Sequence, residues 1–190
     1  MKKEKIKIGI SGDIGSFSEE AASYYCHNNN IKNYEIQYLI NVKNTMEALK
    51  KNEIAKGIFP IENSNGGIVY EAIYAMSEYA FDIENIFEID VKHCLLTKPD
   101  TKLNDIKKIA SHPQALKQCR MYLKRKWGDL ELQSYSDTAK AAKDLHEGKI
   151  PPSTGIIACK KCAELYGLNL LEEGIQDLKF NFTTFIVAIA

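Results

Sequence analysis

The chain has 190 residues, 45% of them hydrophobic and 26% charged, with 25 basic and 25 acidic side chains that cancel to a formal net charge of zero. That composition is ordinary for a globular protein long enough to bury a real core, and zero net charge excludes a global field that would draw the molecule to nucleic acid or a membrane. No apolar run approaches a transmembrane span, and the charged start Met1–Lys5 lacks the long apolar region and cleavage site of a signal peptide, so a cytoplasmic location is expected.

Lys5–Ser11 reads as a short apolar strand ending at Gly12. In Gly12–Ala22, Ser16 and Glu19 have capping-box spacing, so a helix begins there with its amides aimed back at the strand end. The glycines match neither a dinucleotide fingerprint nor a Walker loop. What remains is a helix start suited to a carboxylate, with Ser16 as a candidate ligand residue. Tyr34–Leu39 is the second strand, and Asn44–Lys51 a helix capped by Asn44 or Thr45.

The most informative stretch is Ile58–Val69, where an apolar pair runs into Pro60 and the polar trio Glu62, Asn63 and Ser64 follows. Two glycines come next, and then the amphipathic run Val69–Tyr79. The order implies a buried strand, a shaped loop and a helix start. Ligands in α/β folds sit outside the carboxyl ends of strands, which makes the trio a candidate binding group. Its bland alternative is a capped turn, with Ser64 or Asn65 as N-cap. Gly66-Gly67 and residues 80–95 read as hinge elements.

Ile83–Lys98 alternates for longer than one strand requires and is expected to cross between lobes. Asp105–Ala110 is a strand, followed by a helix start at Ser111–Cys119 with Pro113 in its first turn. Gln114 lies in that turn. His112 is either a general acid or base, since imidazole titrates near neutrality, or a capping residue. Leu130–Tyr135 is a strand, Ser136-Asp137-Thr138 opens a helix to His146, and Glu147–Thr154 is a loop. Gly155–Ala158 is a short buried strand, and Lys160–Tyr166 a helix ended by Gly167. Gln176–Lys179 precedes Asn181–Ile189, whose apolar end reads as a final central strand.

Five cysteines, at 26, 94, 119, 159 and 162, form an odd, scattered set and not a disulfide framework. Cys159 and Cys162 make a CxxC, but no second ligand pair has zinc spacing, so packing explains them best and no metal is expected. Hydroxyl, amide and carboxyl groups at several strand-to-helix junctions describe an α/β protein that binds a small anion.

In this order GDIGSFSEEAA, FPIENSNGG, SHPQALKQC, SDTAKAA and NFTTF resemble the motif series of the prephenate dehydratase catalytic domain, which runs approximately GPxGTFSxxAA, VPIENSxxG, SHPQALxQC, STAxAA and NxTRFxV. The likeness extends from Lys7 to Ile189, and His93 and Tyr166–Leu168 also fall on family positions. It implies two α/β lobes like a type II periplasmic binding protein, with the site in an interlobe cleft. Lobe 1 would hold about 1–82 plus 172–190, and lobe 2 about 92–171, as one catalytic domain over 1–190. It further implies conversion of prephenate, a dicarboxylate, to phenylpyruvate in phenylalanine biosynthesis, without cofactor or metal, by a homodimer. Thr183 falls on the catalytic threonine, and Asn63, Ser64 and Gln114 on substrate-holding residues. Ser16, Glu62, Thr138, Thr184 and Phe185 complete the implied substrate-binding set.

Two positions depart from the family pattern. Thr184 stands where the family has an arginine suited to a substrate carboxylate, and Asp13 stands where it has proline. The chain stops at Ala190, so no regulatory ACT domain, and no phenylalanine feedback through one, is expected. Three functions follow: a prephenate dehydratase first, then a non-aromatising prephenate decarboxylase, then a module that binds a small anion without turnover.

Overall fold

The computed structural model describes residues 5–128 and 130–190; the charged segment Met1–Glu4 lies outside the described residues. In chain order the elements are β1 (Ile6–Ile10), α1 (Phe17–Asn28), β2 (Tyr34–Tyr38), α2 (Val42–Lys50), β3 (Lys56–Asn63), β4 (Gly67–Ile68), α3 (Tyr70–Glu78) and β5 (Asp82–Asp90). There follow β6 (Cys94–Thr97), a 3₁₀ turn at Leu103–Asp105, β7 (Lys108–Ser111), α4 (Pro113–Gln118), α5 (Arg120–Trp127) and β8 (Glu131–Ser134). The chain closes with α6 (Thr138–His146), β9 (Thr154–Ala158), α7 (Lys160–Tyr166), β10 (Asn169–Glu173) and β11 (Phe182–Ile189).

Two compact units divide these elements: one runs to Asp90 and resumes at Phe182–Ala190, the other is Val91–Asn181. The expected division at about 82, 92 and 172 therefore differs in two places. Residues 83–90 stay with the first unit because β5 pairs along its length with β11. Residues 172–181 stay with the second because β10 pairs with β6. The zero net charge hides a division of its own. The first unit has nine Lys and Arg against fourteen Asp and Glu; the second has sixteen against eleven, a surplus of five positive charges.

The first unit's sheet runs β2-β1-β3-β11-β5, with β4 added to β3. Strands β1, β2 and β3 are parallel, while β11 lies antiparallel to both β3 and β5. On one face Val42, Met46 and Leu49 of α2 and Ala72 and Ala75 of α3 pack on Phe59 and Ile186. On the other, Tyr24 and Tyr25 of α1 stack on Phe87, which stacks on Phe185, each ring pair 5.9 Å apart. Close approach explains two glycines: a Cβ at Gly57 would meet Thr45 Cγ2 at 2.9 Å, and one at Gly12 would collide with Ser16 Oγ.

Helix α2 starts two residues before its expected start because Asn41, not Asn44 or Thr45, is the cap, its Oδ1 accepting from Asn44 N at 2.8 Å. A tight turn delivers that cap: Asn41 N donates to Leu39 O at 2.8 Å, holding the intervening Ile40 at φ 72°, a strained value for a β-branched residue. Strand β3 runs through Glu62 and Asn63, which pair with Thr184 and Thr183, so the expected loop begins only at Ser64. Neither Ser64 nor Asn65 caps α3, whose cap position is Val69 with no side-chain bond. Gly67, at φ 80°, serves the hairpin between β3 and β4.

The second unit's sheet runs β10-β6-β9-β7-β8, with β7 parallel to β8 and β9 and with β6 antiparallel to β9 and β10. Its core joins Leu95, Ile109, Leu116, Cys119, Tyr122, Leu123 and Ile157. The strand expected at Asp105–Ala110 is shorter: Asp105 Oδ2 accepts from Lys102 N, closing a turn, and pairing starts at Lys108. Ile83–Lys98 breaks into β5 and β6 at Val91–His93. The sequence reading contained neither α5 nor β10. All five cysteines are buried; Cys159 and Cys162, 3.7 Å apart at sulfur, open α7.

Phe185 is only 1% exposed and anchors the four-ring stack. Phe185→Ala should lower stability by about 3–5 kcal/mol, read as a fall in urea midpoint at unchanged slope.

Candidate functional site

In the first unit, Glu62, Asn63, Ser64, Thr183 and Thr184 gather where β3 and β11 meet, while Ser16 stands apart at the start of α1. Thr183 lies opposite Asn63 in the antiparallel ladder, and Asn63 Nδ2 donates to Thr183 Oγ1 at 2.8 Å and to Phe182 O at 3.2 Å. The other end of the amide is fixed as well: Asn63 Oδ1 accepts from Asn65 N at 3.0 Å and Gly66 N at 2.7 Å. Two backbone donors on the oxygen leave the NH2 group facing Thr183, which decides the amide orientation. The threonine hydroxyl therefore accepts from Asn63 and keeps its own proton for another partner. An N–H donor on that oxygen stabilises negative charge developing there, so this hydroxyl is a better proton donor than it would be in the same place without Asn63.

Ser64 clamps the same strand end from its backbone and its hydroxyl. Its N donates to Phe182 O at 2.8 Å, and its Oγ accepts from Phe182 N at 3.0 Å. Ser16 is 6% exposed and caps α1, accepting from Glu19 N at 3.3 Å. The Glu19 carboxylate reaches back one residue further than a capping box requires, to Gly15 N at 2.6 Å. Asp13 is exposed and turns onto Ile14 N at 2.7 Å.

Successive side chains on a strand point to opposite faces, so Thr184 does not share the face of Thr183. Thr184 lies between Glu62 of β3 and Glu88 of β5 in the two ladders and donates to Glu88 Oε1 at 3.2 Å. Glu62 is exposed. An arginine at 184 would meet these two carboxylates across the strands. Thr184 places no cation on this glutamate-lined face, and the Asn63–Thr183 bond is present with threonine at 184. Phe185 shares the face of Thr183, but its ring is consumed by the core; its expected place among substrate contacts is corrected, because a side chain buried under Phe87 offers a ligand no surface.

In the second unit, His112 caps α4, its Nδ1 accepting from Gln114 N at 3.2 Å. Of its two expected roles, capping is the one its geometry fills. Gln114 Nε2 is a buried donor with no hydrogen-bond partner. A buried unpaired donor costs about 1–3 kcal/mol, and an incoming ligand oxygen would relieve that cost. Thr138, 8% exposed, is the first residue of α6, whose cap is Asp137 accepting from Lys140 N at 2.9 Å. Among the described residues no cluster of three or more His, Cys, Asp or Glu could hold a metal, and no helix is long and apolar enough to cross a membrane.

A second polar network lies outside the candidate residues that the motifs single out. Gln118 Oε1 accepts from Asn181 Nδ2 at 3.1 Å and faces His93 Nε2 at 2.6 Å. An oxygen facing both requires the proton on His93 Nε2. Burial pushes the His93 pKa below its ordinary value, against the opposing effect of the Gln118 bond. All three residues fell within, or next to, stretches already noted for other reasons. Polarity alone could not show that they meet across 25 and 63 residues.

A family model described as prephenate dehydratase matches residues 8–189. Among curated relatives, arogenate dehydratase/prephenate dehydratase 1 of Arabidopsis thaliana is 35% identical over 96% of the chain, which spans 45% of that protein. The prephenate dehydratase of Arthrobacter aurescens, solved in complex with L-Phe, superposes with a TM-score of 0.88 at 26% identity, covering 97% of this chain and 60% of that one. A periplasmic substrate-binding protein of an ABC transporter from Coxiella burnetii shares the fold alone, with a TM-score of 0.50 at 15% identity over 95% of this chain and 84% of that one.

Because burial lowers the His93 pKa in the folded chain, unfolding takes up a proton there as the pH falls through the ordinary value of 6.5. The histidine's contribution to stability is complete above that pH and declines as the pH drops toward the lower folded value. His93→Asn should flatten this part of a pH–stability curve measured by urea unfolding between about pH 7.5 and 5.

Proposed function

The chain belongs to the prephenate dehydratase family, and on that premise we propose that it converts prephenate to phenylpyruvate with Thr183 as the group acting on the leaving hydroxyl. The observation that carries this reading is the 2.8 Å bond from Asn63 Nδ2 to Thr183 Oγ1, with the Asn63 oxygen anchored by two backbone amides.

The chemistry asks little of the protein. The ring carboxylate leaves as carbon dioxide, and the electron pair of the broken C–C bond moves through the ring toward C4. The C4–oxygen bond breaks, and the departing hydroxide takes a proton to leave as water. Aromatisation drives the step, and no electron acceptor enters. The protein must favour departure of the hydroxide and hold two carboxylates. In this reading Thr183 donates its proton to the departing oxygen and regains one from solvent, while Asn63 stabilises charge building on Oγ1. The positive surplus of the second unit favours an anionic ligand, and the unpaired Gln114 Nε2 is that unit's candidate donor to an anionic oxygen. Thr184 does not oppose the reading, since its face is lined by Glu62 and Glu88.

The Arabidopsis relative is named for arogenate as well as prephenate. The same ring chemistry on the aminated side chain would give phenylalanine, so both substrates belong in the assay. Incubated with each at neutral pH and followed by chromatography, the protein should produce the aromatic acid above the spontaneous rate. Thr183→Ala should lower kcat by about 10²-fold or more, and Thr183→Ser should retain much of it. A decarboxylated, non-aromatic product would instead establish the decarboxylase. A ligand-induced rise in Tm without any product would indicate a binding module.

Thr184→Arg supplies a second check. It should leave kcat and KM close to wild type and raise Tm slightly, as exposed ion pairs do. A large fall in KM would mean that position 184 faces the substrate after all.

A further inference from the structure

Two residues next to the strand ends carry an unexpected share of the hydrogen bonding. Val91 directly follows β5 and Asn181 directly precedes β11. Val91 N donates to Asn181 O at 2.8 Å, and Asn181 Nδ2 returns a bond to Val91 O at 3.0 Å. The pair thus adds a rung to the β5–β11 ladder beyond Asp90 and Phe182. One strand of this rung uses an amide side chain in addition to its backbone.

The rung is itself held from outside the sheet. Asn181 Nδ2 also donates to Gln118 Oε1, on the last residue of α4, and the same oxygen faces His93 Nε2. His93 is fixed in turn. Its N donates to Gln176 Oε1 at 3.1 Å, and its O accepts from Gly174 N and Ile175 N at 2.9 and 3.0 Å. Asn181 has no solvent exposure and His93 only 4%. A buried amide with both donors engaged by buried and half-buried partners resists displacement, because breaking the network strands several polar groups at once.

Strand ends fray unless something holds them, and Thr183 is the second residue of β11. Its bond to Asn63 requires the first residues of that strand to stay in register. We propose that Asn181 is a positioning residue for Thr183: by extending the β5–β11 ladder one rung and bonding Gln118, it keeps the start of β11 from fraying. The proposal rests on the reading of Thr183 as the catalytic group, but its structural half does not.

Amide hydrogen exchange tests that half without substrate. In the wild type, the amides of Val91, Phe182 and Ser64, whose bonds join these strand ends, should be protected comparably to those of Ile186–Ala188 within β11. Rapid exchange there would overturn the proposal. Asn181→Asp keeps the side-chain volume but removes both donors. It should speed exchange at the three strand-end amides by about tenfold or more while leaving Ile186–Ala188 protected. Uniform loss of protection along β11 would mean a general stability role and would also overturn it.

The kinetic half uses the same variant, assayed well below its Tm. A misplaced acid slows chemistry more than binding, so kcat should fall by up to about 10²-fold with KM little changed. Wild-type kcat with local fraying would remove the link to Thr183. If the wild type turns over neither prephenate nor arogenate, the proposed function fails, and the exchange data alone decide whether Asn181 holds the strand. If Asn181→Asp does not fold, Asn181→Ala and the wild-type exchange pattern decide it.

Discussion

β11 hydrogen-bonds along both of its edges, to β3 on one side and β5 on the other, and the first unit depends on that double pairing. Without β11, β3 and β5 would each lose a partner strand. The same insertion places Phe185 against Phe87 and sets Ile186 and Ala188 under α2 and α3, so both faces of the sheet take core residues from this strand. It also creates the candidate site, since Thr183 meets Asn63 only because β11 comes to rest in that register. The core and the candidate site share one element.

The register explains why two neighbouring threonines have different fates. Thr183 meets an amide whose other end is pinned by Asn65 and Gly66, while Thr184 meets glutamates on the opposite face. A change that looks severe as a line of letters, arginine to threonine, falls on the glutamate face. A one-residue slip would exchange the two environments, and this is why anchoring the start of β11 matters.

Local signals in the sequence located most elements. Ser16 and Asp137 behave as caps, Pro113 opens α4 and Gly167 closes α7, because each effect acts within a turn of chain. The errors share a cause. Glu62 and Asn63 look like loop residues until their partners, some 120 positions away, are known. Asn41 caps α2 because a strained turn at Ile40 presents it, and no propensity favours isoleucine there. β10 exists through pairing with β6, and Phe185 is a core ring because β5 brings Phe87 beneath it. For the candidate site, sequence motifs singled out Asn63 and Thr183, which the fold brings together. They could not distinguish a side chain bonded to another side chain, such as Thr183, from one spent on packing, such as Phe185, or on clamping backbone, such as Ser64.

The insertion of β11 also has a history within the folding reaction. Asn63 and Thr183 are 120 residues apart, and the whole of Val91–Asn181 is synthesised between β5 and β11. Contacts so distant in sequence close slowly, since the entropy of a long loop is lost before the pairing is gained. During that interval β3 and β5 expose unsatisfied edges, the kind of surface on which chains associate wrongly. The second unit, whose sheet pairs only residues from within Val91–Asn181, can form while the first one waits. A nascent chain would therefore acquire its candidate catalytic pair late, after much of its other structure, and would be most prone to aggregate just before it does.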